Sequence, residues 1–95
     1  MALKISTGVR DKLSRKEPPV TEAEIIQCFA NKEGKFLLDT REEHKTNPPT
    51  QWFISETDYG RKLKVVFMKH KNGDIEIKSA FNPNETEKRI YTNFI

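Results

Sequence analysis

The segment Asp39-Thr40-Arg41-Glu42-Glu43-His44-Lys45 gathers a guanidinium, carboxylates, an imidazole and an ammonium within seven positions. Metal-independent cleavage of RNA needs such groups: one takes the 2′-hydroxyl proton, another protonates the leaving oxygen, and cations stabilise the phosphorane. His44 is of the type that titrates near neutrality, and Arg41 offers a planar fork of donors to a phosphate. The same residues also read as a solvated loop whose opposite charges cancel, because seven adjacent positions do not all converge on one point.

A second concentration of charge follows. Arg61, Lys62, Lys64, Lys69, Lys71 and Lys78 flank Asn72-Gly73 in two strand-like runs. Alternation across a strand and the length of the turn decide which residues share a face. A two-residue turn would put Leu63, Val65 and Phe67 on the side of Asp74, Glu76 and Lys78. A three-residue loop, Lys71-Asn72-Gly73, instead pairs His70 with Asp74 and sets Leu63, Val65 and Phe67 with Phe81, Ser79 and Ile77. It predicts Gly73 in the left-handed region that closes a type I turn with a bulge. The opposite face then shows Lys62, Lys64, Val66 and Met68 against Asn82, Ala80, Lys78 and Glu76. Its lysines can track a phosphate backbone, with Tyr59 or Trp52 as a stacking ring. They serve equally well to keep an open sheet from edge pairing, and Trp52, in phase with Ile54, reads as core.

The elements that position these groups follow from spacing and punctuation. Ile5, Val9 and Leu13 recur every four residues, which predicts a short amphipathic helix from Ile5 to Arg15, ended by Pro18-Pro19. Thr21 with Glu24 forms a capping box ahead of Ile25, Ile26 and Phe29, predicting a helix from about Glu22 to Asn31. Phe36-Leu37-Leu38 is a short strand candidate. Asp39 to Gln51 is polar, carries Pro48-Pro49 and reads as a long loop. Gln51 to Glu56 alternates as a strand, and Thr57-Asp58-Tyr59-Gly60 is the turn into the hairpin. Asn82 as a cap, with Pro83 and Glu85 after it, opens a last helix through about Asn93. Arg89 and Tyr91 on that helix can face back toward the sheet, although a tyrosine there also suits an amphipathic rim. The expected fold is α+β: a small antiparallel sheet of three to four strands, two N-terminal helices and one C-terminal helix, with the helices on one sheet face.

Ninety-five residues with 35% hydrophobic content suit a single domain, 1–95. One cysteine, Cys28, forms no internal disulfide and lies among apolar neighbours, which suits a reducing cytoplasm. No apolar run approaches the roughly 18 residues of a membrane span, and the first residues lack the apolar stretch of a signal peptide. His44 and His70 lie far apart without ligand-spaced partners, and no glycine-rich loop precedes a helix, so neither a metal nor a nucleotide cofactor is expected. The net charge of +3 permits nucleic-acid binding without demanding it.

Several stretches resemble the small BrnT-like toxins and, more distantly, the RelE-like ribonucleases of bacterial toxin-antitoxin systems. They are Val20-Thr21-Glu22 before a helix ending in Cys28-Phe29, the strand Gly60-Arg61-Lys62-Leu63-Lys64-Val65-Val66-Phe67, its partner Asp74-Ile75-Glu76-Ile77-Lys78-Ser79-Ala80, and Glu87 to Tyr91. The resemblance implies a compact antiparallel sheet flanked by helices, a basic face that binds RNA, metal-independent cleavage and neutralisation by an antitoxin protein. The chain is also similar to short bacterial or phage proteins labelled ADP-ribosyl-(dinitrogen reductase) hydrolases.

Two functions are thus expected. The first is a toxin-like, metal-independent endoribonuclease with Arg41, His44, Arg61, Arg89 and Tyr91 as catalytic candidates and Lys62, Lys64, Lys69, Lys71 and Lys78 as the RNA contacts. The alternative is a non-catalytic nucleic-acid- or protein-binding module of a mobile element. Expected partners are RNA or another nucleic acid, an antitoxin and, as an open option, a second copy of the chain.

Overall fold

The computed structural model describes residues 2–39 and 46–94 and orders them as β1 (Leu3–Ile5), α1 (Thr7–Ser14), α2 (Glu22–Asn31), β2 (Leu37–Leu38), β3 (Thr50–Glu56), β4 (Lys62–Lys69), β5 (Ile75–Phe81) and α3 (Glu85–Thr92). Helix α2 starts where its capping box requires. The Thr21 side chain accepts from the Glu24 amide, and the Glu24 carboxylate accepts from the Thr21 amide. Helix α3 uses the same device two residues later than expected, with Asn84 rather than Asn82 as cap and Glu87 completing the box. Pro83 is buried ahead of it.

The fold is α+β with three helices, as the sequence indicates, but the sheet has five strands in the order β1-β5-β4-β3-β2 and is mixed. The additional strand comes from the start of the chain. Leu3 and Ile5 are half-buried while Lys4 between them is exposed, so the period is two there and not four. That segment lies parallel to β5, with Leu3 beside Ile75 and Ile5 beside Ile77. The first helix therefore begins only after Ser6, whose hydroxyl accepts from the Val9 amide.

The β4–β5 hairpin has the three-residue loop. His70 N–H donates to Asp74 O at 2.9 Å, Gly73 N–H donates to His70 O at 2.9 Å, and Gly73 has φ +92°. The expected register holds as far as Phe67 opposite Ile77. It then shifts by one residue between Val66 and Phe67, so Ser79 faces Val66, Ala80 faces Val65 and Phe81 faces Lys64. Lys78 is the extra residue of this bulge. The shift carries Ala80 into the core and turns Phe81 to the other side, where the expected alignment had the reverse.

The main core lies between the sheet and α2. Phe53, Leu63, Val65, Phe67 and Ile77 on the strands are fully buried with Ile25 and Cys28 of the helix. Phe29 closes this layer, its ring 4.7 Å from Phe53 and 5.5 Å from Phe67. The expectation of helices on one face only is corrected by α3, which covers part of the second face. Its Tyr91 is buried with the ring 5.8 Å from Trp52. Among the described residues no helix is long and apolar enough to cross a membrane.

Candidate nucleic-acid interface

The cations of the hairpin divide into those consumed by internal bonds and those left at the surface. Arg61, at the foot of β4 on the α2 side, is of the first kind. Its guanidinium donates to Pro18 O and Pro19 O at 2.7 Å each, to Glu24 Oε2 at 3.2 Å and to Asn82 Oδ1 at 3.3 Å. One side chain thereby ties the α1–α2 connection, α2, β4 and the start of the α3 approach. Lys64 is also consumed. Its Nζ lies 2.8 Å from Glu87 Oε2 on α3, 4.4 Å from the Trp52 ring centroid and 5.6 Å from that of Phe81. Two aromatic faces and a carboxylate hold this ammonium in a site only 13% exposed.

Tyr91 donates its hydroxyl to Lys35 O at 2.8 Å, and burial pushes its phenol up from the usual value. It stands on the Trp52 side of the sheet, whereas Arg61 is bound to α2 on the other. Arg89 is exposed on α3. The structure therefore does not bring Arg61 and Tyr91 to one point. Arg41 and His44 lie outside the described residues.

Lys62, Lys69, Lys71 and Lys78 are exposed. Lys62 to Lys69 spans the length of β4, about 23 Å at the usual rise per residue. At the hairpin tip, His70 Nε2 lies 2.9 Å from Glu76 Oε1 and Lys78 Nζ lies 3.3 Å from Glu76 Oε2. Those hydrogen bonds, His70 first, hold the Glu76 carboxyl below its ordinary value. Of the two candidate stacking rings, Trp52 is packed under Tyr91 and Lys64, while Tyr59 in the β3–β4 turn is 95% exposed. The turn is closed by hydrogen bonds: Thr57 N–H donates to Arg61 O, Gly60 N–H to Thr57 O, and Thr57 Oγ1 accepts from the amides of Tyr59 and Arg61.

Beside this turn, an open cleft of about 680 Å³ runs between the end of α2, the outer edge of β3 and the last turn of α3. Lys88 reaches its rim together with Lys62, a position that sequence spacing had not singled out. Its three-residue offset from Glu85, to which it is paired at 3.1 Å, marks it only as a helix-surface charge. Among the described residues no cluster of His, Cys, Asp and Glu is placed to hold a metal ion. No family model, curated protein or solved structure matches the chain.

Proposed function

We propose that this chain is a non-catalytic nucleic-acid-binding module that holds a single strand through Lys62, Lys69, Lys71 and Lys78, with Tyr59 as the stacking ring. The observation that supports it is the partition of the hairpin cations. Arg61 and Lys64 are neutralised by Glu24 and Glu87 in sites less than a quarter exposed, whereas the other four lysines are exposed; of these Lys78 meets Glu76 at 3.3 Å, a surface pair weak enough for a phosphate to displace. Lys62 and Lys69 alternate to opposite faces of β4, so a nucleic acid that meets both passes around the hairpin, and each phosphate that an exposed ammonium neutralises releases its counterions. An exposed aromatic ring at one end adds sequence-tolerant stacking.

The test is fluorescence anisotropy with a labelled single-stranded RNA and its DNA counterpart at several salt concentrations. Four phosphate contacts to a single strand give a slope of log K against log salt of about −3. Each Lys→Ala change among the four lowers the magnitude of that slope by about 0.7. Binding that ignores salt overturns the reading in favour of a protein partner. Shortening of the RNA during the measurement overturns it in favour of the endoribonuclease, with Arg41 and His44 as the first residues to replace.

A further inference from the structure

The backbone bonds along the outer edge of β3 leave a gap. In an antiparallel strand the N–H and C=O of successive residues turn alternately to one neighbour and the other. Asp39 N–H donates to Thr50 O at 2.9 Å, so Thr50, Trp52, Ile54 and Glu56 turn theirs outward. Strand β2 lies beside Trp52, and Asn31 Nδ2 donates to Glu56 O at 3.0 Å. Ile54 has neither kind of neighbour. Continuing the β2–β3 register would set Lys35 beside it, but Lys35 O accepts instead from the Tyr91 hydroxyl at 2.8 Å, and Gly34 O accepts from Lys32 Nζ at 2.6 Å. The N–H and C=O of Ile54 thus face the cleft of about 680 Å³ without a backbone partner among the described residues.

The lining of that cleft is richer in carboxylates than in ammonium groups, with Glu33, Glu56 and Asp58 against Lys62 and Lys88. The Lys88 ammonium is paired with Glu85 at 3.1 Å. Lys62 stands opposite Glu56 across the two strands, yet no ion pair joins them. Asp58 Oδ1 accepts from the neutral amide of Asn31 at 3.0 Å, and among the described residues neither Glu33 nor Glu56 has a cation. An unpaired strand edge beside unpaired carboxylates suits a basic residue in an extended peptide. Its backbone offers Ile54 both a donor and an acceptor, as in strand addition. Alternation then places its side chain on the face that carries Ile54 and Glu56, within reach of the carboxylates for a long side chain. Arginine fits better than lysine, because its planar fork matches a carboxylate at two points.

We propose that this cleft captures an arginine from an extended segment of a partner protein, its backbone exchanging hydrogen bonds with Ile54 and its guanidinium lying among Glu33, Glu56 and Asp58. The pairing is short, because Asn31 closes the edge at Glu56 and β2 closes it at Trp52. The site is distinct from the phosphate contacts of the preceding subsection and meets them only at Lys62. There the two make opposite demands, since the Lys62 ammonium attracts a phosphate and repels a guanidinium.

The test titrates the isotopically labelled full chain with a pentapeptide blocked at both ends, an arginine between two pairs of threonines, following amide shifts. The expected result is saturable movement at Ile54, Glu56 and Asp58. Replacing the arginine by citrulline, its neutral counterpart, weakens binding about tenfold or more, because the charge-assisted bonds are lost. Methylating the arginine's backbone nitrogen, which removes the donor to Ile54 O, weakens it about fivefold. Butylguanidine, which carries the cation without the peptide backbone, binds more weakly than the peptide. Glu56→Gln lowers affinity for the arginine peptide and leaves that for the citrulline peptide unchanged. Lys62→Ala raises peptide affinity about twofold while lowering RNA affinity, and these opposite signs separate the cleft from the phosphate contacts. Equal binding of the arginine and citrulline peptides overturns the role of the carboxylates and the proposal with it. Butylguanidine binding as tightly as the peptide overturns the pairing with Ile54, and shifts confined to residues outside the cleft overturn the site.

Discussion

Arg61 Nη1 lies 3.2 Å from Glu24 Oε2, and the same guanidinium donates to the carbonyls of Pro18 and Pro19. Both side chains of the ion pair are less than a quarter exposed. The pair fastens the N-terminus of α2 to the entry of β4, and the planar guanidinium serves four acceptors, on Pro18, Pro19, Glu24 and Asn82, that lysine's single ammonium cannot reach together. Arg61→Lys is expected to cost about 1–2 kcal/mol and Arg61→Ala about 3 kcal/mol, since the latter leaves two carbonyls and a carboxylate short of a donor. Chemical denaturation measures both, and an Arg61→Ala protein as stable as the parent would remove the clamp from this account. RNA affinity of the folded Arg61→Lys protein should be unchanged.

The pH dependence of stability follows from the same contacts. Burial pushes the Glu24 carboxyl up, but hydrogen bonds from the Thr21 amide and Arg61, with the guanidinium charge, outweigh it and hold the group below its ordinary 4.5. Asp74, hydrogen-bonded by Lys4, and Glu76, hydrogen-bonded by His70, are lowered too. For each the unfolded chain takes up its proton first as pH falls, so stability present above the ordinary values, 4.5 for the two glutamates and 3.8 for Asp74, is lost below them. Cys28 works in the other direction. Burial, aided by the Glu24 charge, raises its thiol from 9.0 to about 11. The unfolded chain loses that proton first, so stability declines as pH rises from 9 to 11. Melting temperature should be level between roughly pH 5 and 8.5 and fall on both sides. Cys28→Ala, though less stable throughout, should show the shallower alkaline decline, and an unchanged slope would contradict this assignment.

Two hydroxyls two residues apart should respond to mutation with opposite sign. Ser55 Oγ is buried on the α2 side of β3 with no hydrogen-bond partner among the described residues, so the strand carries a desolvated polar group with nothing in return. Thr57 Oγ1 is also buried but accepts from two backbone amides of the turn. Ser55→Ala is expected to stabilise by about 1 kcal/mol, a rise in melting temperature of several degrees in a chain of this size. Thr57→Ala should destabilise by about 1–2 kcal/mol. A drop in melting temperature for Ser55→Ala would mean that its hydroxyl is satisfied.

The features legible in the sequence are those whose cause is local. The Thr21–Glu24 box fixed the start of α2, and Gly73 with the alternation on either side of it fixed the hairpin loop, because every group involved lies within a few residues. The strand at Leu3–Ile5 was hidden because three residues fit either period, and its partner Ile75–Ile77 is some 70 positions away. The bulge at Lys78 was hidden for another reason: Ser79, Ala80 and Phe81 are all compatible with either face. Packing decided, placing small Ala80 in the core and Phe81 where the Lys16 and Lys64 ammonium groups lie over its ring. The fate of the lysines was the least accessible, because neutralisation depends on where a helix docks. Nothing near Lys64 announces Glu87.

That last pairing yields a discriminating prediction for the interface. Lys64 sits between Lys62 and Val66 on the strand that carries the proposed phosphate contacts, yet its charge is taken up by Glu87 and its stem by Trp52 and Phe81. It should contribute to stability rather than to polyanion binding. Lys64→Met keeps the apolar stem over Trp52 and Phe81 but removes the ammonium that Glu87 Oε2 meets at 2.8 Å. An expected cost is about 1–3 kcal/mol, recovered in part by adding Glu87→Gln, because the neutral amide no longer needs a counter-charge. The salt slope of RNA binding should match that of the parent for Lys64→Met and be shallower for Lys62→Ala. A Lys64→Met protein that loses a phosphate contact's worth of slope would show that α3 lifts away from the sheet when the strand binds, freeing the ammonium for the ligand.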